Sequence, residues 1–310
     1  MTRRLVVFGI AAVLGVVLAV VAVVAFDPFG PNDPASAECD APSPHFGHER
    51  TAGTHAEVDV TYSCMGAAQA ATVYLPDEPG PHPAVVWVHG AGEATRIPSD
   101  FPVVQELLEG GVAVLSYDKR GVGASEGECC PGDSGHFNLL TADVEGAIRT
   151  LRALPDIDPT RIGLIGASQA GWIAPRSAVE TDAAFLALAS APTTGERIAN
   201  RYERLSSGAE GQLSRADIAE RLKSSEVGFD PLPDLQRLQV PELWLYGDAD
   251  ERTPVPESIT ILDRLKEEGH DITVKVYPGA GHGLLDTPPS TPDAGPELVA
   301  WVLAQTAPGG

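Results

Sequence analysis

The chain has 310 residues and a formal charge of −22 at pH 7, long enough for one large domain with a substantial core. Such acidity excludes a protein that grips phosphate backbones, which needs clustered Lys and Arg, so no nucleic-acid partner is expected. Internal repeats and zinc-type Cys and His spacings are missing as well, which excludes a solenoid and a structural zinc module.

Residues 1–26 differ in kind from the rest. Arg3 and Arg4 precede an uncharged apolar run from Leu5 to Phe26. As a helix it would span about 33 Å at ~1.5 Å per residue, enough to cross a hydrocarbon core of about 30 Å. It is read as a transmembrane signal-anchor, which makes the membrane a partner through this segment. The alternative is a signal peptide cut after Ala35-Ser36-Ala37, near Ala37, which would release a secreted protein. Basic residues before the run, with Asp27, Asp33, Glu38 and Asp40 after it, place the amino terminus in the cytoplasm. Either reading therefore puts the remaining chain outside the membrane. Cys39, Cys64, Cys129 and Cys130 suit an oxidising compartment and allow three pairings. A bridge between the adjacent Cys129 and Cys130 is the least expected, because neighbouring Cα atoms lie about 3.8 Å apart across a trans peptide.

Residues 27–54 are rich in Pro, Gly, Asp and Ser and read as an extracytoplasmic linker to one domain at 55–310. Residues 56–62 alternate like a half-buried strand, and residues 70–75 form its antiparallel partner, ended by Pro76. The fully apolar run at 84–88 is an inner parallel strand, buried on both faces, and 112–117 is another inner strand. Helical spacing appears at 101–109 and 141–153, and further strands at 161–165 and 184–189. Residues 193–239 interrupt the alternation with polar helical pieces at 197–205 and 215–223. Strands at 242–246 and 272–277 then alternate with helices at 258–268 and 296–305. This order predicts an α/β fold: a mostly parallel central sheet with helices on both faces, plus a small helical cap at 193–239.

The strand at 161–165 runs into Gly166-Ala167-Ser168-Gln169-Ala170-Gly171 and then a helix. Small residues on both sides of a serine let the chain turn sharply with the hydroxyl at its apex. This stretch resembles the nucleophile elbow of serine hydrolases with the α/β-hydrolase fold, except that Ala170 stands where G-x-S-x-G has its second glycine. A serine hydroxyl needs a base, and the base a carboxylate to steer it. Both follow in order: the strand at 242–246 ends in Gly247-Asp248-Ala249-Asp250, and the strand at 272–277 in Pro278-Gly279-Ala280-Gly281-His282-Gly283. These loops are similar to those of the same family, as are His89-Gly90-Ala91-Gly92 and the stretch from Tyr117 to Ser125. The resemblance covers residues 56–305 and belongs to its esterase and dienelactone-hydrolase-like branch.

What the resemblance implies is a catalytic triad of Ser168, Asp250 and His282, with Asp248 shaping the loop. Its oxyanion donors would be the backbone N–H groups of Ala91 and Gln169, with Gly92 replacing Ala91 if the loop is shifted. His89 is expected to be structural, and Asp118, Lys119 and Arg120 to be loop scaffolding. Residues 126–135 border the pocket, and Trp172 either lines the acyl site or packs beneath it. His45, His48, His55, His82, His136 and His270 are expected in solvated loops. The implied activity is extracytoplasmic hydrolysis of a carboxylic ester or related acyl bond, on a small-molecule or lipid substrate, with no cofactor and no metal. An acyltransferase or a peptidase on the same fold is the alternative, and a non-catalytic binding protein the rival from another class.

Overall fold

The computed structural model describes Cys39 and residues 45–52, 55–130, 134–209 and 211–307. The expected anchor at 1–26 and the cleavage site near Ala37 lie outside the described residues. Among the described residues, no helix is long and apolar enough to cross a membrane.

One nine-stranded sheet organises the described chain. Its strands are β1 (His45–Ala52), β2 (His55–Cys64), β3 (Ala67–Pro76), β4 (His82–Val88), β5 (Ala113–Tyr117), β6 (Ile157–Ala167), β7 (Leu186–Ala189), β8 (Glu242–Gly247) and β9 (Ile272–Tyr277). They lie in the order β1-β2-β3-β5-β4-β6-β7-β8-β9. Pairing is antiparallel from β1 to β5 along this order and parallel from there to β9. β1 is a correction to the linker reading. The 45–52 stretch pairs with β2, and a backbone ladder of that kind leaves little periodic signal when only one neighbour is present.

Helices α1 (Pro102–Glu109), α2 (Ser134–Arg152), α3 (Ala170–Thr181), α7 (Val255–Glu267) and α8 (Ala294–Thr306) connect or follow the strands. The inner strands alternate between two cores, as the two-residue period of a strand requires. Val86, Val88, Leu164 and Trp244 pack on one face with residues of α2, α3 and α7. Val85, Trp87, Ile165 and Leu245 pack on the other with residues of α1 and α8. This is why the run at 84–88 is apolar throughout and the one at 113–117 apolar but for Ser116, whose Oγ accepts from the Ile97 N–H at 2.7 Å: each side chain meets a covered face.

Between β7 and β8 lie α4 (Glu196–Ser206), α5 (Arg215–Leu222) and α6 (Leu232–Arg237). Leu205, Ile218 and Leu222 form a small core of their own. Ser214 caps α5 in a reciprocal arrangement with Asp217. α6 has too few turns to show periodicity in the sequence. It is tied down by Asp234, which accepts from Arg176 of α3 at 3.0 Å. The helix expected at 141–153 begins earlier, at Ser134, because Phe137 packs its ring against Trp172 and Phe229.

The structure pairs Cys39 with Cys64. It also pairs Cys129 with Cys130, the pairing the sequence made least expected. His82 and His136 are buried within β4 and α2, not set in solvated loops. His55 lies half-buried in β2, with Nε2 3.3 Å from Glu57 Oε1.

Candidate active site

β4 sits between β5 and β6, so the sheet grows outward in both directions from it. In a parallel sheet, such a reversal opens a crevice beyond the carboxyl ends of the strands. Val88 pairs with Gly166 and Ala167 with Ala189 across β4, β6 and β7. The loops that follow these strands therefore emerge side by side. They enclose a cavity of about 610 Å³ whose lining includes Trp87, His89, Gly90, Ala91, Ser168 and His282.

Ser168 lies at the apex of the turn from β6 to α3, with φ of 56°. A non-glycine residue in that left-handed region is uncommon and is held only by well-packed surroundings. Those surroundings are visible on both sides. A Cβ at Gly166 would meet the Val88 carbonyl oxygen at 2.4 Å, and one at Gly171 the Pro192 carbonyl oxygen at 2.3 Å. Both positions therefore require glycine. Ser168 N–H donates to the Ala189 carbonyl at 3.0 Å, and the Ser168 carbonyl accepts from Gly171 N–H at 3.0 Å.

Asp250 and His282 are joined. His282 Nδ1 lies 2.9 Å from Asp250 Oδ2 and 3.1 Å from Oδ1. Asp250 is buried, and its Oδ1 also accepts from the backbone N–H groups of Arg252 at 2.7 Å and Thr253 at 2.9 Å. Those bonds fix the plane of the carboxylate. A carboxylate on Nδ1 selects the tautomer in which Nδ1 carries the proton and Nε2 has a free lone pair. No direct hydrogen bond joins Ser168 Oγ to His282 among the described residues, although both line the same cavity. Such bonds are often long before a substrate closes the site.

Asp248 is elsewhere. Its Oδ1 accepts from Gly279 N–H at 2.6 Å and so ties the β8 loop to the β9 loop. The backbone N–H groups of Ala91 and Gln169 have no acceptor among the described residues. Ala91 lies in the loop after β4, and Gln169 follows Ser168 at the cap of α3.

His89 is buried, and its Nε2 donates to the Tyr117 carbonyl at 2.6 Å. Burial lowers its pKa to about 4, so the ring stays neutral. Asp118 accepts from the N–H groups of Arg96 and Ala124, both at 2.9 Å. Arg120 makes a two-pronged ion pair with Asp143 at 2.5 and 3.0 Å and donates to the Cys64 carbonyl. Trp172 packs: it is buried and donates Nε1–H to the Thr194 carbonyl at 2.8 Å. Residues 126–130 are absent from the cavity lining, so the pocket border expected there is not formed by them.

Some residues of the site carry no sequence signal of their own. Ser190, with φ of 50° at the end of β7, donates Oγ–H to the His282 carbonyl at 2.6 Å. Thr253 donates Oγ1–H to the Ser190 carbonyl at 2.8 Å and lies 3.5 Å from His282 Nδ1. Tyr202 of α4 donates its hydroxyl to the Asp250 carbonyl at 3.0 Å. Burial, helped by the Asp250 charge, raises the pKa of that phenol. Only their position just past a strand, or in the insertion, could have pointed to them.

Comparison with known proteins places this geometry in context. A family model described as the alpha/beta hydrolase family matches residues 85–294. Two curated relatives are similar over shorter stretches. The uncharacterized protein YfhR of Escherichia coli (strain K12) is 31% identical over 100 residues, 32% of this chain and 33% of that one. YfhR of Salmonella typhi is 32% identical over 121 residues, 38% and 39% of the two chains. The matched segments thus span little more than a third of these relatives' length. Among solved structures, acetyl xylan esterase 1 of Thermoanaerobacterium sp. JW/SL YS485 superposes with a TM-score of 0.64 at 17% identity, covering 86% of this chain and 89% of that one. The esterase Pf2001 of Pyrococcus furiosus gives 0.60 at 19% identity, covering 86% and 92%. At such identities the likeness is one of fold.

Proposed function

The chain belongs to the alpha/beta hydrolase family, and on that premise we propose that it is a serine hydrolase cleaving a carboxylic ester or related acyl bond. The observation that carries this reading is the Asp250–His282 pair, at 2.9 Å, sharing one cavity with a serine held at a positive φ. His282 Nε2 takes the proton of Ser168 Oγ as the oxygen attacks the carbonyl carbon. Asp250 stabilises the imidazolium that forms. The N–H groups of Ala91 and Gln169, which have no acceptor among the described residues, receive the developing oxyanion. His282 then protonates the departing alcohol. Water, activated by the same imidazole, hydrolyses the acyl-enzyme and restores Ser168. Every step uses side chains and backbone groups of this chain.

The esterases among the structural neighbours support an ester over an amide as the first substrate class to try. Extracytoplasmic placement is part of the same proposal and rests on the Cys39–Cys64 bridge, since disulfides persist in oxidising compartments. The test is labelling with a fluorophosphonate probe and turnover of p-nitrophenyl esters of graded chain length. Ser168→Ala should lose both; turnover equal to the parent's would end the assignment. Acyl label kept on an added alcohol in preference to water would instead mark a transferase.

A further inference from the structure

Lys119 is buried beside the cavity, and none of the three atoms it bonds belongs to a carboxylate. Its Nζ donates to the Gly90 carbonyl at 2.8 Å, the Gly92 carbonyl at 3.1 Å and Gln169 Oε1 at 2.7 Å. An ammonium has three N–H donors and no acceptor, so this set uses its full capacity. The three acceptors sit on the two segments that carry the Ala91 and Gln169 N–H groups. Gly90 and Gly92 flank Ala91, and Gln169 bears the other N–H itself. The Gly90 carbonyl and the Ala91 N–H belong to one planar trans peptide and point in opposite directions. Anchoring that carbonyl on Lys119 therefore aims the Ala91 N–H away from the lysine.

We propose that Lys119 is a positioning residue: as an ammonium it fixes the direction of the Ala91 N–H and ties that loop to the Ser168–Gln169 turn, so the oxyanion hole is assembled only while Lys119 is protonated. This rests on the serine-hydrolase reading above. The neutral amine keeps two N–H donors and turns a lone pair toward three acceptors. One tie is then lost, and the loop around Ala91 is no longer held.

Burial lowers the pKa of Lys119 to about 8, which brings this loss into an accessible range. The ionisable neighbours do not blur it. His89 on the β4 side is held neutral by burial, with a pKa of about 4. Asp118 is bound by Arg96 at 3.3 Å, and Arg120 by Asp143 at 2.5 Å. Asp143, raised to about 7 by burial, titrates about a unit lower, and the Lys119→Met profile, which keeps Asp143, separates the two. Cys129, whose Sγ lies 3.9 Å from the Gly92 carbonyl, is bridged and does not titrate.

The experiment is a pH profile of kcat and KM for the full chain on a short p-nitrophenyl ester, with near-UV circular dichroism at each pH. The parent's kcat should fall above about pH 8, with the spectrum unchanged. Lys119→Met should lower kcat roughly 10- to 100-fold at neutral pH, leave KM within about threefold, and show no alkaline fall. Lys119→Arg, which stays charged, should restore part of the kcat and also lack the fall. A parent profile flat to about pH 10, or a Lys119→Met variant with the parent's kcat, overturns the proposal. If Lys119→Met does not fold, the parent profile decides. Ser168→Ala separates the two ideas. Turnover remaining in that variant defeats the serine-hydrolase reading, whereas loss there with full turnover in Lys119→Met defeats only the role of Lys119.

Discussion

Gly166 and Ala170 face each other across the turn that carries Ser168: a Cβ on residue 166 would stand 2.9 Å from the Cβ of Ala170. Two methyl groups do not fit there, so one side of the turn must be bare. In this chain the bare side is 166, where the Val88 carbonyl oxygen also leaves no room. Ala170 is fully buried, and its methyl fills space that a second glycine would leave open. The departure from G-x-S-x-G at 170 is thus compatible with the turn. Ala170→Gly should keep kcat/KM within about threefold and lower stability by about 1 kcal/mol, the usual gap between Ala and Gly in a helix. Gly166→Ala should lose activity, and adding Ala170→Gly should not restore it, since the Val88 oxygen is still in the way. Steady-state kinetics and thermal unfolding of the three variants decide; rescue by the double variant would contradict this account.

The two carboxylates after β8 divide the work, and substitution should separate them. Asp250→Asn removes the charge behind His282 and permits the wrong tautomer, for an expected loss on the order of 1,000- to 10,000-fold in kcat. Asp248→Asn keeps an oxygen for the Gly279 N–H and should cost less than about tenfold. Equal losses in the two variants would remove the distinction between acid and loop brace.

Much of this was legible because strands and their exits leave strong local marks. The strands at 84–88 and 113–117 are buried on both faces, and the exits of β6, β8 and β9 carry Ser168, Asp250 and His282 in turn. What escaped is held by tertiary contacts. Ser190 and Thr253 have short polar side chains with no pattern of their own, yet they fix the His282 loop through its carbonyl and ring. β1 and α6 are an edge strand and a six-residue helix, both too weakly periodic to register. Lys119 read as loop scaffolding because a sequence cannot show that its three partners lie on two remote segments.

Glu242 gives a stability prediction with a definite sign. It is buried in β8, accepts from Trp244 Nε1 at 2.9 Å, and its Oε1 has no partner among the described residues. Burial raises its pKa from 4.5 to about 8. The folded chain therefore holds a proton that the unfolded chain releases, and the associated stability is full below about pH 4.5 and lost as pH rises through about 8. Glu242→Gln keeps the acceptor for Trp244 without the charge. Its Tm should exceed the parent's by a widening margin across that window. Asp143 and Glu145, both raised to about 7 by burial, leave a residual decline in both proteins. A difference in Tm that does not change with pH would refute the assignment.

The last prediction concerns the insertion and its grip on the acid loop. α4 reaches that loop three times: Tyr202 to the Asp250 carbonyl at 3.0 Å, Ser206 Oγ to the Glu251 carbonyl, and Glu203 Oε1 to Arg252 Nε at 2.8 Å. Arg252 also lines the cavity. The Glu203–Arg252 pair is about half exposed on both sides, and such pairs contribute roughly 0–1 kcal/mol to stability. Glu203→Gln should therefore leave the Tm nearly unchanged. It frees Arg252 to move, and the KM for esters bearing a charged group should shift while kcat on a small neutral ester stays within about twofold. Arg252→Ala should abolish that charge preference, and the two effects should not add in the double variant, because both act through one guanidinium. Additive effects, or a preference for charged esters that survives Arg252→Ala, would place substrate discrimination elsewhere in the cavity.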